Sequence, residues 1–193
     1  MWSPPPQRVD TERLVLRCWQ PSDAPRLKAA IDASLPELLP WIPWAVHEPS
    51  PLAAVEQRLI TFRDTFAIGP NWAFGLFDRE EAEVLGGIGL HARVGPTALE
   101  IGYWVRTDVA GRGYATEAAG ALTPVALAMG AGHLEIHCDP LNLASAGVAA
   151  NLGYRHAATR PRDFPAPGGE RRDTMIWVWP RDAEPYQPPA EGA

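Results

Sequence analysis

Cysteine is scarce in this chain of 193 residues: Cys18 and Cys138 are the two present, and they have no paired spacing. They read as free thiols, which fits a reducing cytoplasm rather than a disulfide framework. Long apolar runs are also missing. No stretch of about 20 apolar residues is there to span a bilayer. The N-terminus lacks a basic stretch followed by an apolar one, so no secretory signal is expected. Positive charge is in deficit, with 17 Lys and Arg against 23 Asp and Glu and a formal net charge of −6. That balance argues against a nucleic-acid binder. It mildly favours a basic substrate, such as a free amine or a cationic peptide. No internal repeat is visible.

What is present is enough for one domain with a real core. Residues 1–8 and 181–193 are Pro-rich with almost nothing apolar to pack. They are expected to be mobile tails around a domain at 9–180. Residues 13–19 read as a strand. Pro21-Ser22-Asp23 is a helix-start signal, with helical character over 24–33. Five prolines within 35–51 predict a rigid loop carrying Trp41 and Trp44. A second helix is expected over 51–66, with Leu52, Val55, Leu59, Ile60 and Phe62 or Phe66 inward. Strands at 71–77, 84–92 and 98–106 are separated by turn-forming residues and predict an antiparallel meander.

The most informative stretch is residues 99–118, LEIGYWVRTDVAGRGYATEA. An apolar strand runs into a short loop ending Gly111-Arg112-Gly113-Tyr114-Ala115, and a helix begins at once. Its inward face holds Ala115, Ala118, Ala119, Leu122, Ala126 and Met129, with a kink expected at Pro124. The glycines allow a tight turn and leave backbone N–H groups uncovered at the positive end of a helix dipole. Such a loop suits a phosphate or pyrophosphate. A plain strand-to-helix turn remains the alternative, because a short Gly-x-Gly is weak alone. A dinucleotide fingerprint needs the strand directly before its first glycine, and here 106–110 intervene. A phosphate-binding P-loop needs a Lys-Ser or Lys-Thr pair that does not follow.

A second signal occupies residues 134–156, LEIHCDPLNLASAGVAANLGYRH. A strand at 134–138 leads through Asp139-Pro140 to Asn142 and a short Ala-rich helix that stops at Gly153. A helical crossover makes this strand parallel to 98–106. Two more strands, at 154–159 and 171–179, close the sheet. The ordered segments, with the opening Thr11-Glu12-Arg13-Leu14-Val15-Leu16-Arg17 and the Leu39-Pro40-Trp41-Ile42-Pro43-Trp44 patch, resemble the GNAT superfamily of N-acetyltransferases. Within it the chain is similar to the branch that acetylates ribosomal-protein N-termini. The resemblance covers residues 9–180. It implies an α/β fold: a mixed, mostly antiparallel sheet flanked by helices, with one parallel strand pair splayed around the cofactor. It implies acetyl-CoA as co-substrate, direct transfer to a primary amine in a ternary complex, a protein or peptide N-terminus as leading acceptor, and a homodimer. A small-molecule amine, or a non-catalytic acyl-CoA-binding module, stays open.

Acetyl transfer needs a grip on the cofactor, loss of an amine proton, and a proton for the leaving thiolate. For the grip, the backbone at Val105, Arg106, Gly111, Arg112, Gly113, Tyr114, Ala115 and Thr116 is expected. Family members usually have Gln or Arg where this chain has Ala110. For the base or a water-positioning role, Glu100 is the candidate. It shares a strand face with Gly102 and Trp104, and burial would raise its pKa. The alternative is a carboxylate paired with an Arg such as Arg93. The Tyr that many members use in the last helix is replaced by Ala149. Ser145 lies where the branch has a Ser and is either a hydrogen-bond partner for the sulfur or a small packing residue. Asn142 reads as an N-cap to the Ser145 N–H, compatible with a cofactor contact. Trp41, Trp44 and Trp104 are candidates for the acceptor wall, with core anchoring as the alternative. Cys138 reads as an inert buried thiol. His137 and Asp139 alternate on one strand face without a third ligand, so no metal is expected.

Overall fold

Side-chain alternation sorts each strand of this protein onto two faces, and both faces find helices to cover them. The computed structural model describes residues 2–162, 169–180 and 182–187. In chain order, β1 (Arg8–Asp10) and β2 (Leu14–Cys18) precede α1 (Ala24–Leu38) and α2 (Leu52–Thr65). Then come β3 (Asn71–Asp78), β4 (Val84–His91) and β5 (Ala98–Val105). The helix α3 (Tyr114–Ala128) crosses to β6 (His133–Cys138), and α4 (Leu143–Asn151) leads to β7 (Arg155–Pro161) and β8 (Asp173–Trp179). Among the described residues these strands form one eight-stranded sheet, ordered β1-β2-β3-β4-β5-β6-β8-β7. Every neighbouring pair is antiparallel except β5–β6. That pair is parallel because α3 carries the chain back across the sheet. The expected α/β fold, with its meander and single parallel pair, is what forms.

On β2, Leu14, Leu16 and Cys18 join the larger core beneath α3, with Ala118, Ala119, Leu122 and Ala126. Val15 and Trp19 face the other way, into the cluster of Ala24, Leu27, Ile31, Val55 and Leu59 beneath α1 and α2. The sheet thus separates two apolar cores.

Several expectations change. The helix α1 does not stop near 33; it runs through Pro36 to Leu38. Pro36 lies so near the helix end that its missing donor removes one terminal bond and little else, and the Leu39 N–H still reaches Leu35 O at 3.0 Å. Part of the expected loop is also ordered, as a 3-10 turn over Pro43–His47. Leu52, expected inward, is an exposed residue at the start of α2. The helix α3 contains Pro124, as expected.

The flanks also hold more anchors than their composition suggested. Residues 8–10 form an edge strand on β2. Trp2 packs on the larger core, and Pro5 is buried. At the other end Pro185 is buried, and the Tyr186 N–H donates to Glu135 at 2.6 Å. The Ala183 and Tyr186 carbonyls each accept from an arginine, Arg155 and Arg160, at 2.7 Å. A single aromatic or proline anchor buries apolar area with little rotamer entropy to lose. The outermost tail positions, 1, 181 and 188–193, lie outside the described residues.

Candidate active site

The parallel pairing of β5 with β6 covers only Ala98↔His133, Leu99↔Leu134 and Glu100↔Glu135. Beyond it β5 stays paired with β4 as far as Val105, and β6 stays paired with β8 as far as Cys138. A gap therefore opens in the middle of the sheet, starting beside Glu100 and Glu135. The Arg106 N–H donates to Leu85 O on the β4 side at 2.8 Å. Strand alternation turns the Val105 peptide to the opposite edge, into the gap.

The loop from β5 to α3 ends at this gap. Gly111 and Gly113 adopt φ +75° and +82°, a left-handed conformation that side-chain-bearing residues resist. Gly113 is the residue that caps α3. The first bond closing the helix is from the Glu117 N–H to Gly113 O, 3.0 Å. The N–H groups of residues 113–116 precede it and are left for other partners at the positive helix end. This is the donor set a pyrophosphate fits.

The loop is braced from the turn between β1 and β2. Glu117 accepts from the Thr11 hydroxyl at 2.5 Å, the Arg13 N–H at 2.8 Å and Arg13 Nε at 2.6 Å. Arg13 Nη1 donates to Arg112 O at 2.9 Å, and its guanidinium lies 4.8 Å from the centre of the Tyr114 ring. Burial pushes the Glu117 carboxyl up, but Thr11 and Arg13 hold it below its ordinary value. The opening Thr-Glu-Arg of the sequence is therefore a loop brace. Its signal was visible, but its partner is a hundred residues away. The expected grip from the Arg106 N–H is not available, because that donor serves Leu85. Its carbonyl accepts from Val109, and its guanidinium pairs with Asp108 and Glu83.

On the α3–α4 side of the gap, Asn142 caps α4 by accepting from the Ser145 N–H at 3.1 Å. The Ser145 hydroxyl meets Tyr103 Oη at 3.0 Å. Tyr103 is a residue the sequence reading passed over, since a tyrosine on an apolar strand looks like core. Cys138 is buried, and that burial pushes its thiol above the ordinary range.

On the α1–α2 side the sheet floor is made of glycines: Gly87 and Gly89 on β4, and Gly102 on β5. A Cβ at Gly87 would lie 2.7 Å from Trp104 Nε1, and one at Gly89 only 2.9 Å from His91 Nε2. Two rings thus lie over backbone that has no side chains. Trp44 meets Trp104 edge-on, with centroids 6.1 Å apart. Trp41 is elsewhere, beneath the Arg172 guanidinium at 5.5 Å. The structure brings Trp44 and Trp104 together and leaves Trp41 apart. Burial, then Arg93, pushes the His91 imidazole down to about 4, so it is neutral at physiological pH. Its Nδ1 lies 3.0 Å from Asn71 Oδ1.

Glu100 lies on this face of the sheet and is 5% exposed. The expectation that burial raises its pKa is not met. Burial does push it up, but Arg93 binds both carboxylate oxygens, at 2.7 and 2.5 Å, and the net direction is down. Bidentate guanidinium pairing outweighs desolvation here. That makes Glu100 a weak proton acceptor and a fixed negative charge.

The gap in the mixed sheet thus lies between the N-terminus of α3 on one flank and the Trp44–Trp104 pair on the other. The family model for the acetyltransferase (GNAT) domain matches residues 13–155. The chain belongs to the GNAT acetyltransferases. It is an N-acetyltransferase enzyme, as the resemblance in its sequence implied. Solved GNAT structures share the fold at low identity. The ribosomal L7/L12 α-N-protein acetyltransferase RimL, in complex with coenzyme A, aligns with TM-score 0.79 and 19% identity over 89% of this chain and 96% of that one. The microcin C7 self-immunity acetyltransferase MccE, in complex with acetyl-CoA and AMP, aligns with TM-score 0.80 and 14% identity, covering 91% and 97%. The ribosomal-protein-S5-alanine acetyltransferase from Vibrio fischeri gives TM-score 0.74 and 19% identity, covering 94% and 99%. No curated protein matches the chain.

Proposed function

We propose that this GNAT enzyme transfers acetyl from acetyl-CoA to the N-terminal amine of a protein or peptide by direct attack in a ternary complex. The observation that carries the reading is the gap between β5 and β6, which lies between the donor-rich loop on one flank and the Trp44–Trp104 pair on the other. Gly111, Arg112, Gly113, Tyr114, Ala115 and Thr116 would hold the pyrophosphate through backbone N–H groups. Val105 and Asn142 would line the pantetheine arm. Ser145, with Tyr103 behind it, would supply a hydrogen bond to the departing sulfur. Trp44 and Trp104 would wall the acceptor, and Glu100 would order water or the amine there by its charge. Coenzyme A or acetyl-CoA bound to the RimL and MccE neighbours supports the donor. Ribosomal-protein acetyltransferases among the neighbours support a protein acceptor. The MccE neighbour keeps a small-molecule amine as the second reading. Two free cysteines fit a cytoplasmic setting. Among the described residues no helix is long and apolar enough to cross a membrane.

The test is an acetylation screen with acetyl-CoA, a set of peptide N-termini and a set of small amines, read by mass spectrometry beside thiol release. Acetylated peptide α-amines are the expected result. Turnover confined to small amines favours the second reading. Binding of acetyl-CoA with no amine-dependent thiol release leaves only a binding module.

A further inference from the structure

On β6, His133, Glu135 and His137 share the sheet face on which Glu100 lies. Glu135 is fully buried. Its Oε1 accepts from the Tyr186 N–H at 2.6 Å and lies 3.2 Å from His133 Nε2. Its Oε2 lies 2.6 Å from His137 Nε2. With Glu135 accepting at Oε2 as it does at Oε1, His137 presents Nε2–H to it, and Nδ1 of a neutral ring keeps its lone pair. That nitrogen lies 3.8 Å from Glu100 Oε2. Glu100 and Glu135 are the last paired residues before the gap opens, so His137, two residues further along β6, stands beside its mouth. The His137 side chain is 24% exposed, against 1% for Glu135. The ring is thus held at Nε2 by a buried carboxylate, with its Nδ1 toward Glu100 and the side chain partly exposed.

We propose that His137 is the general base of the transfer and that Glu135 is its positioning residue; this rests on the acetyl-transfer reading above. The free amine nitrogen forms a bond to the thioester carbonyl carbon, and its proton passes to His137 Nδ1. The C–S bond breaks, and the sulfur takes one proton from the Ser145 hydroxyl, which solvent restores. His137 returns its proton to solvent, so amine plus thioester become amide plus thiol with no proton gained or lost. The other charged neighbours suit the step. Glu100 at 3.8 Å favours the imidazolium as it forms, while Arg93 is committed to both Glu100 oxygens. The β8 partner of His137 is Ile176, which is apolar. A carboxylate behind an imidazole whose far nitrogen meets the reacting atom is a general solution to fixing the tautomer.

Two measurements on the full-length protein test this. Long-range proton–nitrogen NMR spectra of the wild-type chain should show His137 as the Nε2–H tautomer, and Glu135→Gln should erode that preference. In two-substrate kinetics His137→Gln should lower kcat about 100-fold or more, with the KM for acetyl-CoA changed by less than about threefold. Added imidazole should restore part of the turnover of His137→Gly. An Nδ1–H tautomer in the wild type overturns the proposal, even if the variants misfold. So does a folded His137→Gln variant with wild-type kcat. A wild-type protein that acetylates no amine overturns the transfer reading itself, and the base role with it.

Discussion

Tyr103 on β5 and Ser145 on α4 hold each other across the gap, with the phenol oxygen 3.0 Å from the Ser145 hydroxyl and 3.1 Å from its carbonyl oxygen. Tyr103 has one proton. Given to the Ser145 hydroxyl oxygen, it leaves the Ser145 proton free to turn into the gap; given to the carbonyl, it draws the Ser145 proton to the phenol oxygen. Burial pushes the phenol above its ordinary value, with the Ser145 bond pulling the other way, so it stays protonated at neutral pH. Ser145→Ala should lower kcat by roughly tenfold while acetyl-CoA affinity stays within about threefold. Tyr103→Phe should do the same more weakly, because Ser145 remains and only its orientation is lost. Equal losses in kcat and affinity for Ser145→Ala would assign it to cofactor positioning instead.

The glycine loop makes a sharper claim. Gly113 sits at φ +82°, and a Cβ there would lie 3.4 Å from Arg13 Nη2. A β-branched residue at that angle strains the backbone that must approach the pyrophosphate. Gly113→Val should weaken acetyl-CoA binding at least about tenfold, or 1.4 kcal/mol. Calorimetric titration checks it, with circular dichroism to confirm the fold. Unchanged affinity in a folded variant removes the loop from the cofactor site.

These two sites differ in how much of them the sequence disclosed. The loop was legible because its parts are local: strand, glycines at fixed spacing, helix start. The meander and the parallel crossover were legible for the same reason, since turn residues and a helical connection dictate them. Tyr103 was not, because its role depends on a helix 42 residues away and a strand aromatic otherwise reads as core. Glu100 was half legible. Its burial could be inferred from its apolar neighbours, but the sign of its shift depends on Arg93, which was only one of two readings. The glycines of β4 drew no reading from the sequence. Their purpose, to let Trp104 and His91 lie over the sheet, appears only once the rings are placed. The docking of Trp2 and Tyr186 was hidden because one aromatic among prolines leaves no periodic pattern.

The brace beneath the loop carries a pH signature. Burial raises the Glu117 carboxyl, but bonds from Thr11 and Arg13 outweigh it, so its folded value lies below the 4.5 of a free glutamate. A depressed carboxylate binds fewer protons in the folded state than in the unfolded one. Its contribution is therefore fully present above 4.5 and is lost as pH falls through the lower folded value. Glu117→Gln should lower stability at pH 7 and flatten the loss of stability below pH 4.5. Urea denaturation across that range checks both. A variant with the wild-type slope would mean that the brace is not an ionic one.

We propose that acceptor choice rests on Trp44 and Trp104, whose rings meet edge-on at 6.1 Å. Trp44 follows Pro43 in a 3-10 turn, so its indole starts from restricted backbone. A rigid aromatic wall selects a ligand with little entropy left to lose. Trp44 packs against the cluster beneath α1 and α2, on the face of the sheet away from Ser145 and α3. Its loss should therefore be felt on the acceptor side alone. Trp44→Ala should raise the KM for the acceptor about fivefold or more while the KM for acetyl-CoA hardly moves. The edge-to-face pair is worth about 0.5–1.5 kcal/mol, so a modest fall in melting temperature should accompany it. Trp41 offers the control. It lies under Arg172, which also approaches Pro40 O and Asp139 at 3.4 Å each, and so ties the loop to the end of β6. Trp41→Ala should lower stability and leave the acceptor KM near wild type. If the two variants exchange these behaviours, the acceptor wall is on the Trp41 side. If Trp44→Ala is stable and silent toward every amine tested, the wall is not made of these rings.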